Sequence, residues 1–263
     1  EVEILRREPG GRDRWEASRL RVGTGTFMIA AADLDEDGLD DLIAADPGSS
    51  AWVVPSAGPA FGQPVVVPGT EASRWIAVGD WDRDGDLDLA SASQARDELS
   101  ILLGDGRRGL RIADRIPIGG PHAVEAFDHD GDRDLDLAVG HGDEGLRILS
   151  GRGDGRFSVV GEASGLPPCA RLVATGDFDD DGRGDLALSC RRAVDGETIA
   201  QVVIGLSNGD GTFRSALELT SEEVTPLAVS DLDGDGRRDL ATVSAAEGVV
   251  SVRLGAGAGT FRP

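Results

Sequence analysis

The chain has 263 residues, 48 Asp or Glu against 26 Lys or Arg, and a formal charge of −22. That acidity argues against nucleic acid and anionic membrane surfaces as partners, since both would repel it. An apolar fraction of 40%, spread in short runs, argues against a disordered acidic tail, and no run of 18 apolar residues offers a membrane-spanning helix.

Two β-prone runs, Val2–Arg7 and Trp15–Val22, come first. An acidic motif then appears as ADLDEDGLDDL at Ala32–Leu42 and recurs four times. The later copies are GDWDRDGDLDL at Gly79–Leu89, AFDHDGDRDLDL at Ala126–Leu137, GDFDDDGRGDL at Gly176–Leu186 and SDLDGDGRRDL at Ser230–Leu240. Four copies share the core Asp-x-Asp-x-Asp-Gly-x-x-Asp-Leu. Carboxylates at positions 1, 3, 5 and 9, with a carbonyl at position 7, supply the oxygen shell that Ca²⁺ takes. The glycine at position 6 permits the sharp turn between them.

The expected ligands in the first loop are Asp33, Asp35, Asp37, the carbonyl of Leu39, and Asp41. In the second they are Asp80, Asp82, Asp84, the carbonyl of Asp86, and Asp88. In the fourth they are Asp177, Asp179, Asp181, the carbonyl of Arg183, and Asp185; in the fifth, Asp231, Asp233, Asp235, the carbonyl of Arg237, and Asp239. The third copy, within 126–136, is irregular. One register starts at Ala126 and uses Asp128, Asp130 and Asp134 around Gly131. The other uses Asp128, Asp130, Asp132 and Asp136 but puts Arg133 at the turn. The first is preferred because it keeps glycine at position 6 and sets Phe127 level with Leu34, Trp81, Phe178 and Leu232. This site is expected to be the weakest.

An EF-hand would place such a loop between helices and close it with Glu at position 12. Here the flanks are β-branched and Ala-rich, which predicts strand–loop–strand. First positions at 33, 80, 126, 177 and 231 give spacings of 47, 46, 51 and 54. Each period also carries a glycine turn ending in an apolar residue: Gly58–Phe61, Gly104–Leu110, Gly151–Phe157, Gly205–Phe213 and Gly255–Phe261. Four strands per period predict a five-bladed β-propeller occupying residues 1–263 as one all-β domain. The chain stops soon after Phe261, so an N-terminal strand is expected to complete the last blade and close the ring.

These loops and turns, taken together from about Phe27 to Phe261, resemble the FG-GAP/VCBS repeat family, whose calcium-loop blades also build integrin α-subunit heads. The resemblance implies about five structural Ca²⁺ and a secreted or surface binding module. It also brings lectin-like domains and propellers attached to carbohydrate-active enzymes as relatives. Integrin heads differ in having seven blades.

Other motifs carry less. Gly104-x-Gly106-x-x-Gly109 matches a dinucleotide fingerprint as a string, but no helix pattern follows. Arg152-Gly153-Asp154 and Arg183-Gly184-Asp185 fall in a glycine turn and in a metal loop. His122, His129 and His141 cluster near the third loop and are expected to be solvated. Trp15, Trp52, Trp75 and Trp81 share no blade position, which favours packing over sugar stacking. Cys169 and Cys190 fit either a disulfide or free buried thiols: pairing Asp177 with Asp185 sets Cys190 opposite Leu172.

The expectation is a non-catalytic, calcium-binding, monomeric interaction module outside the cytoplasm, whose ligand is an unknown protein or glycan. The alternatives are a carbohydrate-binding lectin and a carbohydrate-active enzyme, such as a lyase, using the central mouth. No nucleophile elbow or free catalytic pair is visible.

Overall fold

A computed structural model describes residues 2–7, 15–23, 25–58, 60–142, 145–167, 172–194, 197–221, 227–244 and 248–262. Five four-stranded antiparallel sheets stand in a ring as a five-bladed β-propeller. Blade 1 is Met28–Ala32, Asp41–Ala45, Trp52–Val54 and Val65–Val66; blade 2 is Trp75–Gly79, Asp88–Ser93, Glu98–Leu103 and Arg111–Pro117. Blade 3 is Pro121–Phe127, Asp136–His141, Gly145–Gly151 and Phe157–Glu162. Blade 4 is Leu172–Gly176, Asp185–Val194, Glu197–Ser207 and Phe213–Ser221; blade 5 is Leu227–Ser230, Asp239–Ser244, Val249–Gly257 and Thr260–Arg262. The first strands of successive blades pack on one another around the axis.

In blades 2 to 4 the second strand has a neighbouring blade on each face, and its composition follows from that crowding. Asp88–Ser93 reads DLASAS and is buried throughout. Ala and Ser let two sheets approach closely, and the hydroxyls are satisfied locally: Ser91 bonds Ser73 at 2.9 Å and Ser93 donates to the Glu71 carbonyl at 2.9 Å. Larger residues fill the wedges between blades. Leu99, Ile101, Leu103, Val124, Leu137 and Leu149 join blades 2 and 3, and equivalent clusters join blades 1 and 2, 3 and 4, and 4 and 5. Each fully buried Leu or Ile contributes about 1.5–3 kcal/mol.

Ring closure departs from expectation. The fifth blade takes its fourth strand, Thr260–Arg262, from its own repeat. Val2–Arg7 pairs instead with Trp15–Leu20 in a separate two-stranded sheet. The glycine turn is short enough that Gly255 to Arg262 can fold back on itself, so the last blade needs no borrowed strand. Among the described residues no core cluster joins blade 5 to blade 1. Leu232 is 53% exposed, whereas its counterparts Leu34, Trp81 and Phe178 are no more than 5% exposed.

Strand pairing also settles the third loop. The residue before position 1 pairs with position 9 as Ala32 with Asp41, Gly79 with Asp88, Gly176 with Asp185 and Ser230 with Asp239. In blade 3 the pair is Phe127 with Asp136. Position 1 is therefore Asp128, not Ala126, and the preferred register is replaced by the other one. The loops now begin at 33, 80, 128, 177 and 231. The same pairing rule moves the cysteine: Ser189, not Cys190, faces Leu172. Cys190 is buried and disulfide-bonded, while Cys169 lies outside the described residues.

Candidate metal centre

Each loop turns twice through the left-handed region. Position 6 does so at Gly38, Gly85, Arg133, Gly182 and Gly236, with φ of 82°, 96°, 74°, 85° and 89°. Position 4 does so at Glu36, Arg83, Gly131, Asp180 and Gly234, with φ of 58°, 61°, 82°, 63° and 79°. The third loop thus keeps a glycine, but at position 4, and places Arg133 where the others have glycine. Because a glycine fits either left-handed position, the sequence alone favours the register that puts Gly131 at position 6.

Position 9 is the anchor. Asp41, Asp88, Asp136, Asp185 and Asp239 are all at most 1% exposed. In every blade Oδ1 accepts a backbone N–H from the end of the third strand or just beyond it: Ser56 at 2.6 Å, Gly104 at 2.7 Å, and Gly151, Ser207 and Gly255 each at 2.8 Å. In blades 2 to 5, Oδ2 accepts the N–H of position 2, from Trp81, His129, Phe178 and Leu232, at 2.7–2.8 Å. One carboxylate thereby ties the loop to the blade. Asp136, absent from the favoured third-loop register, holds this place, and Asp134 falls at position 7. The Asp134 side chain points to the neighbouring loop, where its Oδ1 lies 2.6 Å from Arg83 Nε.

The remaining carboxylates converge. Asp33, Asp35 and Asp37 each bring an oxygen within 4.8 Å of the others, as do Asp80, Asp82 and Asp88, Asp128, Asp130 and Asp132, and Asp177, Asp179 and Asp185. Several of these oxygens are buried without a hydrogen-bond partner: Asp35 Oδ1, Asp80 Oδ1, Asp82 Oδ1 and Asp179 Oδ1. Burial without a partner is costly for a neutral polar atom and more so for an anion. The proton equilibria register the same strain. Burial, with neighbouring carboxylates, pushes Asp88 and Asp185 up to about 6, and raises Asp82 and Asp130. An all-oxygen, anionic, partner-seeking set of this kind fits a hard dication such as Ca²⁺. The second and fourth loops fit it best: their inward oxygens converge, and position 9 stays bonded only to backbone.

The fifth loop is more open. Asp233 and Asp235 are exposed, and hydrogen bonds from Gly255 and Leu232 hold Asp239 below its ordinary range.

The histidines are not the solvated group expected. His129 occupies position 2 of the third loop, the place of Leu34, Trp81 and Phe178, and is 2% exposed. Its Nδ1 lies 2.5 Å from Asp136 Oδ2; burial pulls its pKa down, but Asp136 and the nearby Asp130 and Asp128 outweigh that and raise it. His141 Nε2 is 2.8 Å from Glu162. His122 packs under Gly140 in the inner strand of blade 3.

Trp81 packs edge-on to Phe157 with centroids 5.8 Å apart, Trp52 donates to Ser49 at 3.1 Å, and Trp75 contacts Phe27 at 6.0 Å. These three serve packing, while the side chain of Trp15 lies outside what is described. Both Arg-Gly-Asp strings are absorbed as expected, since Asp185 is fully buried and Asp154 caps its own turn through Arg156 N–H at 3.1 Å. Gly104, Gly106 and Gly109 form the turn between two strands of blade 2, and a strand follows them.

Sequence reasoning passed over Glu125. This residue stands on the inner strand of blade 3, where burial raises its carboxyl to about 7. The Trp75 indole offsets part of that shift, although its Nε1–H reaches no acceptor in good hydrogen-bond geometry. Arg74 is stacked on the Phe27 ring, 4.4 Å from its centroid. A separate cleft of about 430 Å³ opens between blades 1 and 2, lined by Val53, Pro55, Val65, Val66, Arg108 and Leu110. Its lining side chains are apolar apart from Arg108, and no carboxylate lines it.

No helix among the described residues is long and apolar enough to cross a membrane. No curated relative matches the chain in sequence. Among solved structures, the fold resembles BBS1N in complex with ARL6DN. In a lead-soaked crystal the TM-score is 0.52 at 13% identity, over 90% of this chain and 81% of that one. In a mercury-soaked crystal it is 0.53 at 13% identity, over 88% and 80%. The likeness extends to fold alone. The model of the FG-GAP-like repeat matches residues 33–91, 80–139 and 128–188, more than half of the chain, and its third match begins at Asp128, as strand pairing requires. The chain belongs to the FG-GAP-like repeat family.

Proposed function

We propose that this propeller is a non-catalytic, monomeric protein-interaction module working outside the cytoplasm, with Ca²⁺ as a structural fastener of its blades. The observation that carries the metal reading is the set of buried, partnerless oxygens on Asp80, Asp82 and Asp179. When bound, Ca²⁺ supplies the positive charge those oxygens lack; the chain's own residues hold the loop, through position 9 to the blade and through position 6 to the turn. The FG-GAP-like family and the complex of BBS1N with ARL6DN support a protein partner. The bonded state of Cys190 supports the location. The enzyme alternative asks for a loop-free carboxylate beside an Arg at the central mouth. Glu125 is such a carboxylate, but its neighbour is the Trp75 indole, and Arg74 faces Phe27.

Calorimetric melting with and without a chelator tests the metal. Each site held at 100 times its Kd adds about 2.7 kcal/mol of stability, so chelation is expected to lower Tm by many degrees. An unchanged melt would remove the structural-metal reading. A glycan array run in Ca²⁺ tests the lectin alternative, and saturable hits would replace the protein-binding reading.

A further inference from the structure

The first loop differs from the others in what already sits in it. Between blades 2 and 3 and between blades 4 and 5, the glycine turn of one blade reaches the metal loop of the blade before through a glycine N–H, whereas between blades 3 and 4 the Ser207 hydroxyl donates to the His129 carbonyl at 2.7 Å. Gly155 N–H donates to the Trp81 carbonyl at 2.9 Å, and Gly259 N–H to the Phe178 carbonyl at 3.0 Å. At the joint between blades 1 and 2 the same bond, to the Leu34 carbonyl at 3.1 Å, comes from Arg108. Arg108 takes the left-handed conformation that its counterparts take as glycine, with φ of 66° against 76° and 70°. A bulky residue is thus held where glycine fits without strain.

Its side chain enters the first loop. Nη1 pairs with Asp35, Nη2 lies 3.3 Å from Asp37 Oδ2, and Nε lies 2.8 Å from Asp41 Oδ2. Nη2 also donates to the Ser56 carbonyl at 3.2 Å. One guanidinium therefore serves positions 3, 5 and 9 of a single loop, an arrangement seen at no other loop among the described residues. The Asp41 carboxylate is rearranged to suit: its Oδ2 accepts from Arg108, where the other four blades use the position-2 N–H. A dication among these oxygens would meet a permanent positive charge at contact distance.

We propose that Arg108 is the resident cation of the first loop, so that this loop takes no Ca²⁺ and the joint between blades 1 and 2 is closed without metal. The five sites expected from the motif count become four. This inference rests on the calcium reading for the remaining loops but can fail separately from it.

Hydrogen–deuterium exchange on the full chain, with CaCl₂ or with EGTA, separates the two. In the wild type, peptides covering 80–88 and 177–185 should lose protection in EGTA while 33–41 keeps it. Arg108→Gly installs the residue type that makes this bond between blades 2 and 3 and between blades 4 and 5. Its 33–41 peptide should exchange at least tenfold faster in EGTA and regain protection in CaCl₂, and calorimetric Ca²⁺ stoichiometry should rise by one site. Asp35→Asn in the wild-type background should leave the stoichiometry unchanged, whereas Asp82→Asn should lower it by one; neither readout depends on the Arg108 variant folding. A 33–41 peptide that loses protection in EGTA in the wild type, or a site lost in Asp35→Asn, overturns the proposal. If no loop responds to EGTA, the calcium reading fails. Arg108 is then judged by whether Arg108→Gly alone loosens 33–41 without metal, and an unchanged rate overturns it.

Discussion

The backbone N–H of Gly155 donates to the carbonyl of Trp81 at 2.9 Å, binding the glycine turn of blade 3 to the metal loop of blade 2. Gly155 sits at φ 76°, and a Cβ there would lie 3.0 Å from both methyl carbons of Leu103. Gly155→Ala should therefore cost about 1–2 kcal/mol for the left-handed backbone, plus the displacement of Leu103. Gly182, at φ 85°, has nothing within 4 Å of the same added atom, so Gly182→Ala isolates the backbone part. Urea unfolding in Ca²⁺ should show Gly155→Ala as the more damaging of the two. Equal losses would mean that the joint is not tightly packed.

Asp88 is expected to matter even when no metal is present. It is 1% exposed, with Oδ1 on Gly104 N–H and Oδ2 on Trp81 N–H, both at 2.7 Å. Asn can accept at only one of these places and must set its NH₂ against the other N–H. Asp88→Asn should lose about 1–3 kcal/mol in EGTA, the usual cost of a buried unpaired polar group. Urea unfolding in EGTA that matches the wild type would make position 9 a ligand only, not a latch.

Carboxylates at alternate positions followed by a left-handed turn are a local pattern, so loops, strands and blade count could be read directly. Asp136 is hidden in the sequence because the loop has two left-handed positions, and a glycine at either, here Gly131 at position 4, satisfies a one-turn template. His129 escaped for the same reason, since the wrong register put Phe127 in the buried slot. Arg108 was beyond reach for a different reason. Its partners lie 67 to 73 residues away, and only the stacking of one blade on the next brings a turn residue into its neighbour's loop. Closure was misjudged because strand count does not reveal which edge a terminal segment will choose.

Glu125 gives the fold a pH dependence of its own. Burial raises its carboxyl from 4.5 to about 7, so the folded chain holds this proton more tightly than the unfolded chain does. The contribution is fully present below pH 4.5, declines as pH rises through the window up to about 7, and is lost above it. The difference is on the order of 3 kcal/mol. Glu125→Gln should remove this slope, matching the wild type near pH 4.5 and exceeding its stability at pH 8. Parallel urea titrations across that range in saturating Ca²⁺ measure it. Parallel curves for the two proteins would show that Glu125 titrates as it does in water.

Arg133 holds φ 74° at position 6 of the third loop, where the other four loops have glycine. Arginine pays the left-handed penalty of about 1–2 kcal/mol, and glycine avoids it at the cost of about 0.5–1 kcal/mol in chain entropy. Arg133→Gly should therefore stabilise the chain by roughly 0.5–1 kcal/mol and tighten Ca²⁺ at this loop. Gly131, at position 4 with φ 82°, occupies a place where Glu36, Arg83 and Asp180 already tolerate the left-handed region. Gly131→Asp should accordingly change stability little, because Asp adopts that conformation more readily than most residues do. Urea midpoints for the two variants, in EGTA and in Ca²⁺, test the assignment. The reverse order, with Gly131→Asp harmful and Arg133→Gly neutral or destabilising, would point back to the register that starts at Ala126, in which Gly131 is the position-6 glycine.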